Sequence, residues 1–223
     1  MLISHKYKFI FIKTHKTAGT SIQYELARIM ADDDIYVPPI APRSSLSKFI
    51  ERFRIYKIES WLLSDDRWRM HMAARHVKKH IGAETFDRYF KFCVEREPVD
   101  KCISKYWWLK RNPNYIERLL RVNMSWDRFI GKPKRLPIDV DLWTGEAGHL
   151  MVDHILRYEN LNEEIRQVGR ELGFRIEGVK EQYKTDIRRP GIKVSEEQRE
   201  MIYQAFAESN HHTGYKIEDY KLT

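Results

Sequence analysis

A short run of small, hydroxyl-bearing and basic residues has the composition of an anion-binding loop. It lies between an apolar run, Tyr7–Lys13, and a segment with helical spacing, Ala18–Met30, and it reads Lys16-Thr17-Ala18-Gly19-Thr20-Ser21. Backbone amides at the start of a helix have no intrahelical partner, and the helix dipole helps them to attract an anion. Glycine allows the backbone to approach closely, and the hydroxyl groups and Lys16 add donors and positive charge. We therefore predict a phosphate-binding loop; the alternative is an ordinary strand–helix turn with a surface lysine.

The spacing of this loop differs from that of the ATP-binding Walker A motif. If Gly19 is aligned with the last glycine of that motif, Thr20 stands in place of the required lysine. Thr14 then stands in place of the first glycine, and we find no apolar strand ending in an Asp that would hold magnesium. A magnesium-dependent phosphotransferase that uses ATP is therefore the second hypothesis.

A second candidate anion site follows another apolar run, Phe90–Glu95. Arg96 closes this run, and Ser104 follows two helical turns later. An arginine at the carboxyl end of a parallel strand faces the crevice where such sheets bind ligands, and its fork of donors suits a phosphate. The alternative is that Arg96 forms an ion pair with Glu95 or Glu97 and that Ser104 is a surface residue.

Predicted strands and helices alternate along the chain, which is typical of an α/β domain. The strands are Tyr7–Lys13, Phe90–Glu95 and Val152–Arg157, and the helices are Ala18–Met30, Val99–Lys110, Leu161–Leu172 and Ser195–Glu208. The first strand shows almost no alternation, which suits a strand buried on both faces of a parallel sheet. Gly131–Gly148 is rich in turn formers and is predicted to be a mobile loop. We predict a single domain over residues 1–223, with a P-loop-like parallel sheet flanked by helices.

Composition and charge narrow the class of protein. The chain has 223 residues, of which 42% are hydrophobic, and this excludes intrinsic disorder. No run approaches the about eighteen apolar residues of a membrane span. Cys93 and Cys102 form no disulfide framework, so we predict reduced thiols in a cytoplasmic protein. The net charge of +8 suits an anionic ligand. A non-catalytic nucleic-acid-binding protein is the third hypothesis, but the 32 acidic residues are interspersed with the basic ones, and we predict no nucleic-acid partner.

The two candidate anion sites together resemble the PAPS-dependent sulfotransferase superfamily, and most closely its carbohydrate-type enzymes with bacterial members (sulfotransferase family 2). The resemblance rests on Phe9–Ile22 and on Tyr89–Pro98 with Ser104 and Tyr106, and Ile155–Leu161 resembles a late strand-to-helix junction of the family. It implies an enzyme that transfers the sulfuryl group of 3′-phosphoadenosine 5′-phosphosulfate (PAPS) to a hydroxyl group of a carbohydrate or small-metabolite acceptor.

The resemblance also implies roles for individual residues. The loop Lys16–Ser21 would bind the 5′-phosphosulfate, and Arg96 and Ser104 would bind the 3′-phosphate. The basic pair Arg188 and Arg189 stands where members of the family often carry late cofactor contacts, although such a run is also typical of a solvated face. No metal is required, and the histidines lack the spacing of a zinc site.

A general base must take the proton of the acceptor hydroxyl. The resemblance favours His71, because a histidine recurs at this place in carbohydrate-type relatives, and an ordinary imidazole pKa of about 6.5 suits a base near neutrality. His15 is the second candidate: it stands in the loop itself, where many relatives have Pro. The remaining candidates are His76, His80 and Glu59.

Overall fold

A five-stranded sheet forms the centre of the computed structural model, which describes residues 1–37, 68–111, 124–179 and 192–220. The strand order is β3-β1-β2-β4-β5, with β1 (Leu2–Ser4), β2 (Phe9–Ile12), β3 (Ile35–Tyr36), β4 (Phe90–Glu95) and β5 (His154–Arg157). β2, β4 and β5 are parallel, as predicted, whereas β1 is antiparallel to both β2 and β3. The sheet is therefore mixed, and its β1–β3 edge was not predicted.

Helices flank this sheet. They are α1 (Gly19–Ala27), α2 (Ala74–Ile81), α3 (Ala83–Arg88), α4 (Pro98–Arg111), α5 (Trp126–Ile130), α6 (Val140–Trp143), α7 (Leu161–Leu172), α8 (Glu196–Ala205) and α9 (Ala207–Thr213). Short 3-10 turns occur at Pro133–Arg135, Glu146–Gly148, Tyr158–Asn160 and Ile217–Asp219. The last predicted helix is thus divided at Phe206. It begins with a capping box between Ser195 and Gln198, a pattern that its sequence carries.

The central strand β2 is buried on both faces, in agreement with its continuous apolar sequence. Because side chains alternate along a strand, Phe9 and Phe11 pack on one face, with α1 and α7. Ile10 and Ile12 pack on the other face, with α2, α3 and α6. A further apolar cluster joins α4, α5 and α8 around Phe129. The result is a single α/β domain of the predicted class, with helices on both faces of the sheet.

The segment Gly131–Gly148 is not the open loop that its turn-forming residues suggest. It contains α6, and Trp143 at the end of that helix is fully buried in the apolar core. Asp139, which precedes α6, is only 3% exposed. The aromatic and aliphatic residues of this segment hold it against the sheet, because they pack in the apolar core on the Ile10 and Ile12 face.

The parallel strands bring three segments to one edge of the sheet. Ile12 is opposite Cys93, and Glu95 is opposite Arg157, so the carboxyl ends of β2, β4 and β5 are neighbours. The segments that leave these ends are 13–18, 96–97 and 158–160. In the described parts of the chain, every helix is too short or too polar to span a lipid bilayer.

Candidate active site

The loop between β2 and α1 has an unusual backbone. Lys16 and Ala18 adopt positive φ angles of 63° and 57°, a left-handed conformation that residues with a Cβ rarely adopt. Backbone of this kind forms concave amide surfaces that bind anions, and such conformations cluster at functional sites. The N-cap residue of α1 is Ala18, whose side chain makes no capping hydrogen bond to the amides of the first turn. The loop that the sequence predicts to bind an anion therefore combines two left-handed residues with a first helical turn that has no side-chain cap.

Gly19 provides space for a neighbouring lysine. A Cβ added to Gly19 would lie 2.8 Å from Cγ of Lys13. The buried Nζ of Lys13 donates to Oγ1 of Thr20 at 3.2 Å and to Oε1 of Gln23 at 2.5 Å. The close approach that the sequence assigned to a phosphate is thus made by the stem of Lys13, and the Thr20 hydroxyl oxygen accepts from Nζ of this lysine.

Two threonines attach the loop to the sheet. Thr14 donates its hydroxyl hydrogen to the carbonyl oxygen of Val94 in β4, and its Oγ1 lies 2.8 Å from that of Thr17. Thr17 is fully buried. Its hydroxyl is therefore an internal brace, and only its backbone amide is left for the predicted role in anion binding.

Arg96 connects the two segments that the sequence predicts to bind anions. Its Nη1 donates to the carbonyl oxygen of Lys16 at 3.1 Å, and its Nε donates to Oδ2 of Asp100 at 2.6 Å. The suggested ion pair with Glu95 or Glu97 is wrong: Arg96 pairs with Asp100, in the first turn of α4. Glu97 instead caps α4, because its carboxylate accepts from the amides of Val99 and Asp100.

Ser104 lies on the face of α4 that contacts the loop. Asp100, Ser104 and Trp108 are spaced four residues apart, so they share one face of the helix. At one end of this row Asp100 holds Arg96, and at the other end the Trp108 ring lies 5.7 Å from Nζ of Lys16. The half-buried Ser104 stands between these two contacts, on the side expected from its spacing to Arg96.

Two of the candidate bases are stacked at the loop. The rings of His15 and His71 lie 3.8 Å apart, with an angle of 14° between their planes. Nδ1 of His15 donates to Oδ1 of Asp139 at 2.5 Å, and Nδ1 of His71 donates to the carbonyl oxygen of Lys13 at 2.9 Å. Burial, together with repulsion from His15, lowers the pKa of His71 to about 3.

A cluster of buried charges supports this pair. Nζ of Lys101, which is fully buried, lies 2.6 Å from Oε2 of Glu95 and 2.8 Å from Oδ2 of Asp139. The other oxygen of Glu95 accepts from the indole of Trp143 at 2.9 Å. Burial by itself would raise the pKa of Asp139, but Lys101 and the hydrogen bond from His15 hold that pKa well below its ordinary value. Both partner carboxylates raise the pKa of Lys101 despite its burial.

The sequence contained little sign of this cluster. Asp139 was part of a predicted loop, and Lys101 was one of several basic residues on a predicted helix. The only local signals were a carboxylate that ends an apolar strand, at Glu95, and a tryptophan among turn formers, at Trp143.

The end of β5 also contributes residues that were not singled out individually. The guanidinium carbon of Arg96 lies 3.9 Å from the centroid of the Tyr158 ring. Glu159 accepts from the backbone amide of Glu97 at 2.9 Å and from the hydroxyl group of Tyr215 at 2.6 Å. The sequence feature that pointed to Tyr158 and Glu159 was the resemblance of Ile155–Leu161 to a strand-to-helix junction of the sulfotransferase family.

The remaining candidates lie elsewhere. His76 and His80 are exposed on α2, and the ring of His80 packs against that of Trp68. Glu59, Arg188 and Arg189 lie outside the described residues. Among the residues that are described, no group of three or more His, Cys, Asp or Glu side chains is placed to hold a metal ion.

A cleft of about 670 Å³ opens beside the loop. It is bounded by Ala18, Asp100 and Tyr158 and by the first turns of α7. The left-handed end of the loop and the partner of Arg96 therefore border one cavity.

Comparisons with known proteins show one family relationship. No protein-family model matches the chain. The chain is 32% identical over 105 residues to an uncharacterized protein of Archaeoglobus fulgidus, and the match covers 46% of this chain and 83% of that protein. The chain belongs to the family of this archaeal protein. It is also similar to the crystal structure of a sulfotransferase from Alicyclobacillus acidocaldarius, at 15% identity over 95% of this chain and 97% of the other, with a TM-score of 0.44. A superposition at that level establishes no shared activity.

Proposed function

We propose that residues 1–223 form a PAPS-dependent sulfotransferase that acts on a hydroxyl group of a carbohydrate or small-metabolite acceptor. The observation that carries the proposal is the hydrogen bond from Arg96 to the carbonyl oxygen of Lys16. It joins the left-handed loop after β2 to the arginine after β4 at one edge of the sheet. Ligands of open α/β sheets bind at this edge, and two anion-binding groups side by side suit a ligand with two separate phosphates.

The donors of the site fit such a ligand. Lys16 is half-buried in the loop, next to the uncapped start of α1. The guanidinium group of Arg96 has five N–H donors, and its bonds to Asp100 and Lys16 do not use all of them. The hydroxyl group of Ser104 lies on the same face of α4 as Asp100. We assign the 5′-phosphosulfate to the loop 16–21 and the 3′-phosphate to Arg96 and Ser104.

The chemistry expected from these residues is positioning and charge stabilisation. When bound, PAPS supplies an activated sulfuryl group. Lys16 neutralises charge on the phosphate oxygen that leaves, and the amides at the start of α1 hold the oxygens of the transferred group. By analogy with phosphoryl transfer, the acceptor oxygen is held in line with the leaving oxygen. The stacked histidines at the loop are the candidates for accepting the proton.

Two further features belong to the proposal. Cys93 and Cys102 are both buried free thiols, which supports a reducing compartment such as the cytoplasm. Arg188 and Arg189 remain candidates for contacts to the nucleotide. We propose neither a metal nor a nucleic-acid partner.

Calorimetric titration with PAP, the product nucleotide, in EDTA tests the proposal. We expect a Kd of about 1 μM or lower, or about −8 kcal/mol. Arg96→Ala should weaken this binding at least tenfold, whereas Arg175→Ala, at an arginine that is 90% exposed, should leave it unchanged. Absence of PAP binding together with magnesium-dependent ATP binding would instead identify a phosphotransferase. A preference for DNA or RNA, with steep salt dependence, would identify a nucleic-acid-binding protein.

The acceptor class has its own test. Transfer of ³⁵S from labelled PAPS to a panel of monosaccharides, amino sugars and phenols should label a hydroxyl-bearing compound. Label that appears only on amines would contradict transfer to a hydroxyl group and leave the assignment of PAPS intact.

A further inference from the structure

We propose that His15 accepts the proton of the acceptor hydroxyl and that Asp139 is the residue that positions it. The proposal rests on the proposed sulfuryl transfer and departs from the assignment of the base to His71. Oδ1 of Asp139 accepts from the ring Nδ1 of His15 at 2.5 Å, and Oδ2 accepts from its backbone amide at 2.7 Å. One buried carboxylate therefore holds both the ring and the backbone of His15.

This hydrogen bond determines the form of the His15 ring. Because a carboxylate oxygen accepts, Nδ1 of His15 carries the hydrogen and Nε2 has a free lone pair. The side chain of His15 is 36% exposed, so a substrate can reach it. His15 also immediately precedes Lys16, which places the proton acceptor next to the cation assigned to the leaving oxygen. Asp139 stabilises the imidazolium that forms, as the carboxylate does in a catalytic triad.

His71 lies beside His15 but is arranged to remain neutral. Its Nδ1 hydrogen is donated to the carbonyl oxygen of Lys13, and its ring lies flat against that of His15. Two imidazolium rings 3.8 Å apart would repel each other, so the stack accommodates one proton. Asp139 hydrogen-bonds to His15, and burial together with repulsion from His15 lowers the pKa of His71 to about 3. A group with so low a pKa is a weak base, and His71 serves as a neutral stacking partner.

The buried charges around Asp139 also favour His15 over His71 as the proton acceptor. Lys101 faces both Asp139 and Glu95, so one ammonium group compensates two carboxylates. The titratable groups near His15 are Asp139 from the segment before α6, the neutral His71 from the segment before α2, and Lys13 and Lys16 from its own loop. A proton accepted by His15 would compensate the remaining negative charge of the cluster through the hydrogen bond to Asp139.

The step balances as a direct transfer. The acceptor O–H bond breaks as the new O–S bond forms, and the hydrogen passes as a proton to Nε2 of His15. The S–O bond to the phosphate breaks at the same time, and its electron pair leaves with the phosphate oxygen beside Lys16. His15 then releases the proton to solvent, and no oxidant or metal enters the step.

Nitrogen-15 NMR of the full chain with labelled histidine tests the arrangement without any activity. We expect both rings in the Nδ1–H form at neutral pH. As the pH is lowered, His15 should take up a proton before His71. The variant Asp139→Asn should abolish this order of protonation. Asp141→Asn, at the exposed carboxylate two residues later, is the matched control. Protonation of His71 before His15 would overturn the proposal.

Kinetics of ³⁵S transfer separate this proposal from the proposed function. His15→Ala should retain PAP binding and lose transfer by roughly 10²–10⁴-fold, and added imidazole should restore part of the rate. Asp139→Asn should also lower the rate and displace its pH profile. If PAP binds but His71→Ala loses transfer while His15→Ala keeps it, His71 is the base and only this inference fails. If PAP does not bind the wild-type chain, the proposed function itself fails. Should Asp139→Asn not fold, His15→Ala alone decides the outcome.

Discussion

The guanidinium group of Arg96 lies over the ring of Tyr158, with 3.9 Å between the guanidinium carbon and the ring centroid. Arg96 follows β4 and Tyr158 follows β5, while Nη1 of Arg96 reaches the loop that follows β2. One side chain therefore joins the carboxyl ends of all three parallel strands. Its orientation depends on the aromatic ring on one side and on Asp100 on the other.

Replacement of the Tyr158 ring should weaken the proposed binding of PAP. Tyr158→Leu should raise the Kd for PAP by about 2- to 30-fold, because a partly desolvated cation–π contact contributes roughly 0.5–2 kcal/mol. Tyr158→Phe keeps the aromatic face and should bind like the wild type. Calorimetry on the three proteins measures the difference, and equal affinities for the Leu and Phe variants would show that stacking does not position Arg96.

Removal of the buried ammonium group should strongly destabilise the fold. Lys101→Met leaves Glu95 and Asp139 without their common partner, and breaking such a buried ion pair costs about 3–5 kcal/mol. Lys105→Met, on the same helix and half-buried, should cost less than about 1 kcal/mol. Urea unfolding gives both values. A similar free energy of unfolding for the two variants would contradict the role of Lys101.

The side chain of Lys13 occupies the space beside Gly19, and the two residues should therefore be energetically coupled. A Cβ at Gly19 would lie 2.8 Å from Cγ of Lys13, so Gly19→Ala should destabilise by about 1–3 kcal/mol. In a Lys13→Ala background the same change should cost much less. A double-mutant cycle in urea measures the coupling, and additive effects of the two changes would show that the crowding is relieved in another way.

The pH dependence of stability should report on His71. Its pKa is about 3 in the folded chain, whereas an ordinary histidine has a pKa of about 6.5. Between these values the unfolded chain binds a proton that the folded chain does not. Stability should therefore fall as the pH is lowered through this range, by at most about 1.4 kcal/mol per pH unit from this group.

The variant His71→Phe isolates this contribution. It removes the titrating group and keeps an aromatic ring against His15, so the slope of stability between pH 6 and 4 should decrease. His76→Phe, on the exposed side of α2, is the matched control and should retain the wild-type slope. Equal slopes in the two variants would show that groups other than His71 cause the pH dependence of stability.

The thiols should be unreactive in the native chain. Cys93 and Cys102 are fully buried, and burial raises the pKa of both thiol groups. Because the thiolate is the reactive form, a thiol reagent at pH 8 should modify neither residue in native protein and both residues in urea. Rapid modification of Cys93 in buffer would show that the core beneath β4 opens readily.

Much of the local structure could be predicted from the sequence. The bounds of β4 (Phe90–Glu95) and α7 (Leu161–Leu172) are those expected from apolar periodicity, and the capping box at Ser195 is present. The loop 16–21 was identified because its residues are consecutive. Each of these features depends on residues that are close in the chain. Their local hydrogen bonds and side-chain spacing can therefore be inferred from the order of residues.

The site as a whole depends on contacts between distant residues. His15 and Asp139 are separated by 124 positions, and Arg96 and Lys16 by 80. The strand β1, only three residues long, pairs with β2 through a turn in which Lys8 adopts a positive φ of 54°. Composition and spacing therefore determined the fold class and the location of the loop that is proposed to bind an anion. The tertiary structure decided which carboxylate holds which histidine and which cation, because the partner of a buried charge depends on how the register of the sheet brings distant segments together.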